Sequence, residues 1–213
     1  MTSMYGSDLT PYDHSFTYHI NDLPSKNNNL TFTEGSIIDR ISKEPKFSKF
    51  FYMIKLGALA GMLDSYTNTY TLFVPDDNAF PFSDDVLINM DKYTAKETVL
   101  YHMLPAKVPL SLLLSSNGMY LETKINNSIN SKIFSKRLLL QEGPFITKSR
   151  VILNNASYII YPDIPNNNGI IHVINKILIP PVFATSLGQY LFKEEPSNEE
   201  IAVEIMPLEE TLN

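Results

Sequence analysis

The sequence predicts an α+β domain, and three observations carry that class. Helical apolar spacing with capping signals dominates from Ser36 to Pro105, and strand patterns separated by turn residues dominate from Met119 onward. The third is the stretch Ile170 to Ile179, a β-branched run introduced by Asn166-Asn167-Asn168-Gly169 and stopped by Pro180-Pro181. Alternation places Ile170, His172, Ile174 and Leu178 on one face and Ile171, Val173, Ile177 and Ile179 on the other, so neither side faces water. A strand of that kind is central and covered on both sides.

Residues 1–34 are polar and aromatic without a sustained period and read as an extension. Ser36, with Asp39 three residues on, forms a capping-box-like start to a short helix carrying Ile37, Ile38 and Ile41 and ending at Pro45. Phe47, Phe50, Phe51 and Ile54 then keep helical spacing, and Leu56, Leu59 and Leu63 continue the apolar stripe past Gly57 and Gly61. Such a stripe buries against a sheet at roughly 1.5–3 kcal/mol per side chain. Tyr70 to Val74 is a short strand broken by Pro75, and Asp76 and Asp77 read as caps of the helical turn that follows. Ser83 caps a further turn, and Thr94 with Glu97 opens a helix that Pro105 ends.

Strands are expected at Met119–Ile125, Ile133–Leu140, Val151–Leu153 and Tyr158–Tyr161, with turns at Asn117-Gly118, at Glu142-Gly143-Pro144 and at Asn154-Asn155. After Pro181, the spacing of Phe183, Leu187, Tyr190 and Leu191 predicts an amphipathic segment, followed by an acidic tail. The organisation is therefore an extension at 1–34, a domain at 35–181 and a C-terminal segment at 182–213.

A chain of 213 residues with 44% hydrophobic content builds a real core, and the absence of cysteine removes disulfides, thiolate metal sites and a thiol nucleophile. The formal charge of -6 is a property of the tail, whose glutamates follow Lys193. No clustered Lys/Arg face is present for nucleic acid, and no run is long and apolar enough to cross a bilayer. The N-terminus lacks the pattern of a secretory signal. Neither a catalytic constellation nor a metal-ligand set is visible: His14 and His19 read as surface histidines, and His102 as a core histidine on an apolar helix. No cofactor is expected.

Three ordered motifs resemble the fasciclin I (FAS1) domain family: Thr71 to Phe80 (TLFVPDDNAF), the pair Tyr101-His102 in YHMLPAKV, and Gly169 to Pro180. Val151 to Pro181 further resembles that family's terminal hairpin, and the similarity runs over about residues 35–181. The resemblance implies a wedge-shaped β-sandwich flanked by several helices. It assigns structural signature positions to Thr71, Phe73, Pro75, Phe80, Gly169, His172, Val173 and Ile174, and buries both His102 and His172. It also implies adhesion, with partner contacts at Tyr101, His102, Pro162, Asp163 and Ile164, toward a protein or glycan receptor or matrix component, with homo-oligomerisation open.

The function expected is a non-enzymatic adhesion or interaction module. Two alternatives stand beside it: carriage of a small apolar ligand in a cleft between the Phe47–Leu63 surface and the sheet, and an internal scaffold. The family works mostly outside the cell, whereas the N-terminal pattern leaves a cytoplasmic or viral-particle location open.

Overall fold

Ser36 accepts the Asp39 backbone N–H at 3.1 Å while the Asp39 carboxylate accepts the Gly35 N–H at 3.0 Å, so α1 (Ile37–Lys43) starts where its capping signal predicts. The computed structural model describes residues 31–115, 118–125, 132–142, 146–184 and 186–187. Lys43 meets the same carboxylate one turn on, and this bond, with that from Gly35, holds Asp39 below the usual carboxylate range.

The apolar stripe from Phe47 to Leu63 divides into two helices, α2 (Ser48–Leu56) and α3 (Ala60–Asp64). The break falls at Gly57-Ala58. Ala58 sits in the left-handed region at φ 58°, and a Cβ on Gly57 would lie 2.9 Å from the Cα of Lys96, on the helix packed alongside. After α4 (Asp84–Ile88) comes that helix, α5 (Lys92–Tyr101). Its cap is Asp91 rather than the expected Thr94: the Asp91 carboxylate accepts both the N–H and the hydroxyl of Thr94. A helix absent from the sequence prediction, α6 (Leu110–Ser115), follows.

The strands are β1 (Tyr70–Pro75), β2 (Met103–Leu104), β3 (Met119–Glu122), β4 (Lys132–Glu142), β5 (Ile146–Leu153), β6 (Ser157–Asn166) and β7 (Gly169–Ile174). They form one mixed sheet in the order β2-β1-β7-β6-β5-β4-β3, with β1 and β7 parallel and the other neighbours antiparallel. The Lys124 N–H, just past β3 at one end of that order, donates to the Met103 carbonyl of β2 at the other end at 2.8 Å. The sheet is thus nearly barrel-shaped. Asn154 and Asn155, at φ 52° and 56°, make the left-handed pair that a tight β5–β6 hairpin requires.

Both faces of β7 are covered, as expected, since all six residues are buried. Its length differs: the strand ends at Ile174, not Ile179. The Asn175 N–H still reaches the Tyr158 carbonyl of β6, and beyond it the backbone donors leave the sheet, with Ile177 bonding the Ala79 carbonyl and Leu178 bonding His102. The Asn175 side chain marks the exit by accepting the Tyr158 N–H at 2.8 Å.

The core fills the space between helices and sheet. Phe47, Phe50, Met53, Ile54 and Leu63 pack with Leu72, Phe73, Val74, Val99, Ile171 and Val173. Part of the N-terminal extension joins the domain: Phe32 meets Phe51 edge-on, and Thr33 binds the Asp64 carboxylate. After a 3-10 turn at Pro181–Phe183, Leu187 is buried and Phe183 packs edge-on against Tyr93. His14, His19, the turns at 117 and 143–144, the amphipathic continuation from 188 and the acidic tail lie outside the described residues.

Candidate functional site

The signature residues build the junction between β1 and β7. Thr71 donates its hydroxyl to the Ala106 carbonyl at 2.6 Å and accepts the Val108 N–H at 2.8 Å, which ties down the loop leading to α6. Phe73 stacks on the His172 ring, with centroids 5.6 Å apart, and Pro75 and Val74 pair with Ile174 and Val173. Gly169, at φ 151°, permits that pairing because any Cβ there would collide with the Tyr70 carbonyl oxygen. Phe80 meets Phe82 edge-on just beyond a 3-10 turn at Asp77–Ala79.

His102 and His172 are both fully buried. His102 donates Nδ1–H to the Thr98 carbonyl at 2.7 Å and accepts the Leu178 N–H at Nε2, so every ring nitrogen has a partner only in the neutral form. Burial pushes its pKa down to about 4. His172 uses the opposite tautomer. It donates Nε2–H to the Val108 carbonyl at 2.9 Å and accepts the Asp163 N–H at Nδ1 at 3.1 Å, and burial again lowers its pKa.

Of the expected contact residues, Tyr101 and His102 are 1% and 0% exposed, so neither offers a surface to a macromolecule. The Tyr101 hydroxyl is occupied as well, accepting from the Asn154 amide and donating to the Lys132 carbonyl. Pro162 and Asp163 are exposed, and Ile164 is half-buried against the core. These last three belong to a bulge in β6, where the register with β7 shifts between Ile159 and Tyr161 and again between Tyr161 and Ile164.

The bulge is held from beneath. Asp163 adopts φ 55°, its N–H donates to the buried His172, and its carboxylate accepts the Leu110 N–H at 2.9 Å. That last bond connects the bulge to the start of α6. Tyr161, 59% exposed, stands beside it with the Lys46 ammonium 5.4 Å from its ring, and Leu112 of α6 is also exposed. Tyr161 and Lys46 share a surface that the sequence does not display. Nothing local marks them, because positions 46 and 161 meet only through the fold.

The cleft expected between the Phe47–Leu63 surface and the sheet is filled by its own side chains, since Phe47, Phe50, Met53, Ile54 and Leu63 are all at most 1% exposed. An open groove of about 430 Å³ lies elsewhere, lined mainly by Tyr101, Tyr120, Phe134, Asn154, Ile179 and Pro181. Among the described residues, no cluster of His, Asp and Glu is arranged to hold a metal ion, and no helix is long and apolar enough to cross a membrane.

The chain is similar to proteins already characterised. The model of the Fasciclin domain matches residues 45–180. Stabilin-2 of Mus musculus is 27% identical over 150 residues, which is 68% of this chain and 5% of that protein. Periostin of Homo sapiens is 26% identical over 150 residues, 69% of this chain and 16% of that protein. The chain thus spans a small fraction of these relatives' lengths. A solved structure of a FAS1 domain pair from the insect cell adhesion molecule fasciclin I matches with a TM-score of 0.55 at 20% identity, over 68% of this chain and 51% of that one. With the family model matching well over half of its residues, this chain belongs to the fasciclin (FAS1) domain family.

Proposed function

We propose that the domain is a non-enzymatic adhesion or interaction module that binds a protein or glycan partner through the bulge at Tyr161, Pro162, Asp163 and Ile164. One observation carries this: an exposed aromatic-proline-carboxylate apex is fixed by a hydrogen bond to a buried histidine and one from a helix start, so little conformational freedom is lost when a partner docks. That the related domain pair comes from a cell adhesion molecule agrees with it. The test is binding of the full chain to immobilised matrix proteins and glycans. Tyr161→Ala, with unchanged melting temperature, should weaken binding about tenfold, as loss of an aromatic anchor does. Unchanged affinity would remove this surface from the interaction.

A second reading has its own observation. The groove beside Tyr120 and Phe134 is of ligand size and presents those two aromatic rings, so a small apolar ligand fits there better than between helices and sheet. Saturable binding of an apolar dye that Tyr120→Ala abolishes would favour the carrier. An internal scaffold is separated from adhesion by labelling the intact source with an antibody before and after permeabilisation, since adhesion requires the label without it.

A further inference from the structure

The Tyr161–Ile164 bulge is clipped to the domain by an imidazole that water does not reach, and we propose that acid opens this clip: protonation of His172 at Nδ1 detaches Asp163 and remodels the bulge. The consequence for binding rests on the contact surface proposed above, whereas the conformational step needs no partner.

In the neutral form, His172 Nδ1 is an acceptor with one bond, from the Asp163 N–H. A proton on Nδ1 turns that acceptor into a donor, and two donors then face each other. The alternative partner is already in place. The Asp163 carboxylate oxygen lies 3.9 Å from Nδ1, and its present partner, the Leu110 N–H, sits at the exposed start of α6 where water replaces the bond. Nδ1 serves only one of the two Asp163 groups at a time: neutral, it accepts the Asp163 N–H; protonated, it donates to the Asp163 carboxylate and draws that group away from Leu110.

The left-handed backbone of Asp163 favours the change. A non-glycine residue at φ 55° is kept there by its bonds, and breaking the one from its own N–H frees it to relax. The other neighbours of His172 do not compete for the proton. Phe73 covers one ring face from β1, the Val108 carbonyl accepts from Nε2 in both states, and Asp163 is the charged group whose field acts on the ring. Burial keeps His172 neutral at neutral pH, so the transition falls on the acid side of the ordinary histidine value of 6.5.

The test follows the backbone amide resonances of the full ¹⁵N-labelled chain from neutral pH to about pH 5, a span that brackets the acid side of histidine titration. The Asp163 and Leu110 amides should move together, with one midpoint below 6.5 that matches the His172 ring. The Leu178 amide, which reports on His102, should hold its place over that range. Asp163→Asn keeps an acceptor for Leu110 but removes the charge facing Nδ1, and should lower the midpoint. Amides that stay fixed until the whole fold melts would overturn the proposal, as would a midpoint that fails to fall in Asp163→Asn. These resonances move even if the bulge binds nothing, so failure of the clip and failure of the contact surface give different results.

Discussion

His102 Nε2 accepts the backbone N–H of Leu178 at 2.9 Å, joining the end of α5 to a residue 76 positions later. The bond explains why Leu178 is buried without belonging to a strand. It also makes the domain sensitive to acid. With a folded pKa of about 4 against 6.5 for the free side chain, the unfolded chain takes up the proton first, so stability is full above 6.5 and falls as pH drops toward 4. Urea unfolding should show about 2 kcal/mol less stability at pH ~5 than at pH ~7.5 from this residue, and His102→Gln should flatten much of that slope.

Asp77 caps a helix to which it does not belong. Its carboxylate accepts the Ser48 hydroxyl at 2.7 Å and the Lys49 N–H at 2.9 Å, supplying the cap that α2 lacks at Phe47. Asp76 caps only its own 3-10 turn, through the Asn78 N–H. Asp77→Ala should cost about 1–2 kcal/mol in denaturant unfolding, and Asp76→Ala should cost less, about 0.5–1 kcal/mol. Equal losses would show that the long-range cap adds nothing.

These two residues mark what the sequence displayed and what it hid. Ser36 and Asp39 were legible as a cap because both partners lie within one turn, and the six buried residues of β7 were legible because β-branched side chains fill consecutive positions. Asp76 and Asp77 read alike as caps, yet Asp77 serves a helix about thirty positions earlier, a distance no local pattern spans. For the same reason the sequence pattern runs on past the true end of β7, since the partner that takes Leu178 out of the ladder is His102. Helix α6 is not legible because a run of leucines and serines carries no clear helical period, and its first N–H is satisfied by Asp163, 53 residues away. The candidate surface was half legible: the family resemblance pointed to Pro162, Asp163 and Ile164, while burial of Tyr101 and His102 and recruitment of Tyr161 and Lys46 required the packed structure.

Asn168 is more than a turn residue. Its side-chain oxygen accepts the Ile37 N–H at 2.8 Å, and its amide donates to the carbonyls of Leu63 and Ser65, so one buried group fastens the ends of α1 and α3. Asn168→Ala strands these backbone groups and should cost about 3 kcal/mol, read as a lower urea midpoint with an unchanged slope. Asn168→Asp, which keeps the acceptor but loses the donors, should not restore stability.

Gly169 should tolerate no side chain. An alanine there would combine a backbone conformation reserved for glycine with a collision against the Tyr70 carbonyl oxygen, at the first pair of the parallel β1–β7 ladder. Gly169→Ala should cost more than about 3 kcal/mol or prevent folding. A well-folded Gly169→Ala protein with native melting behaviour would show that the ladder starts later.

The measurement that bears most directly on function is retention of beads coated with the full chain on intact cells or particles of its source. Wild-type beads should be retained, and beads carrying folded Tyr161→Ala should be retained with roughly tenfold weaker affinity, equivalent to about 1.4 kcal/mol at the contact. Retention of wild-type beads no better than that of bare beads, or equal retention of the variant, would contradict adhesion through the Tyr161–Ile164 bulge.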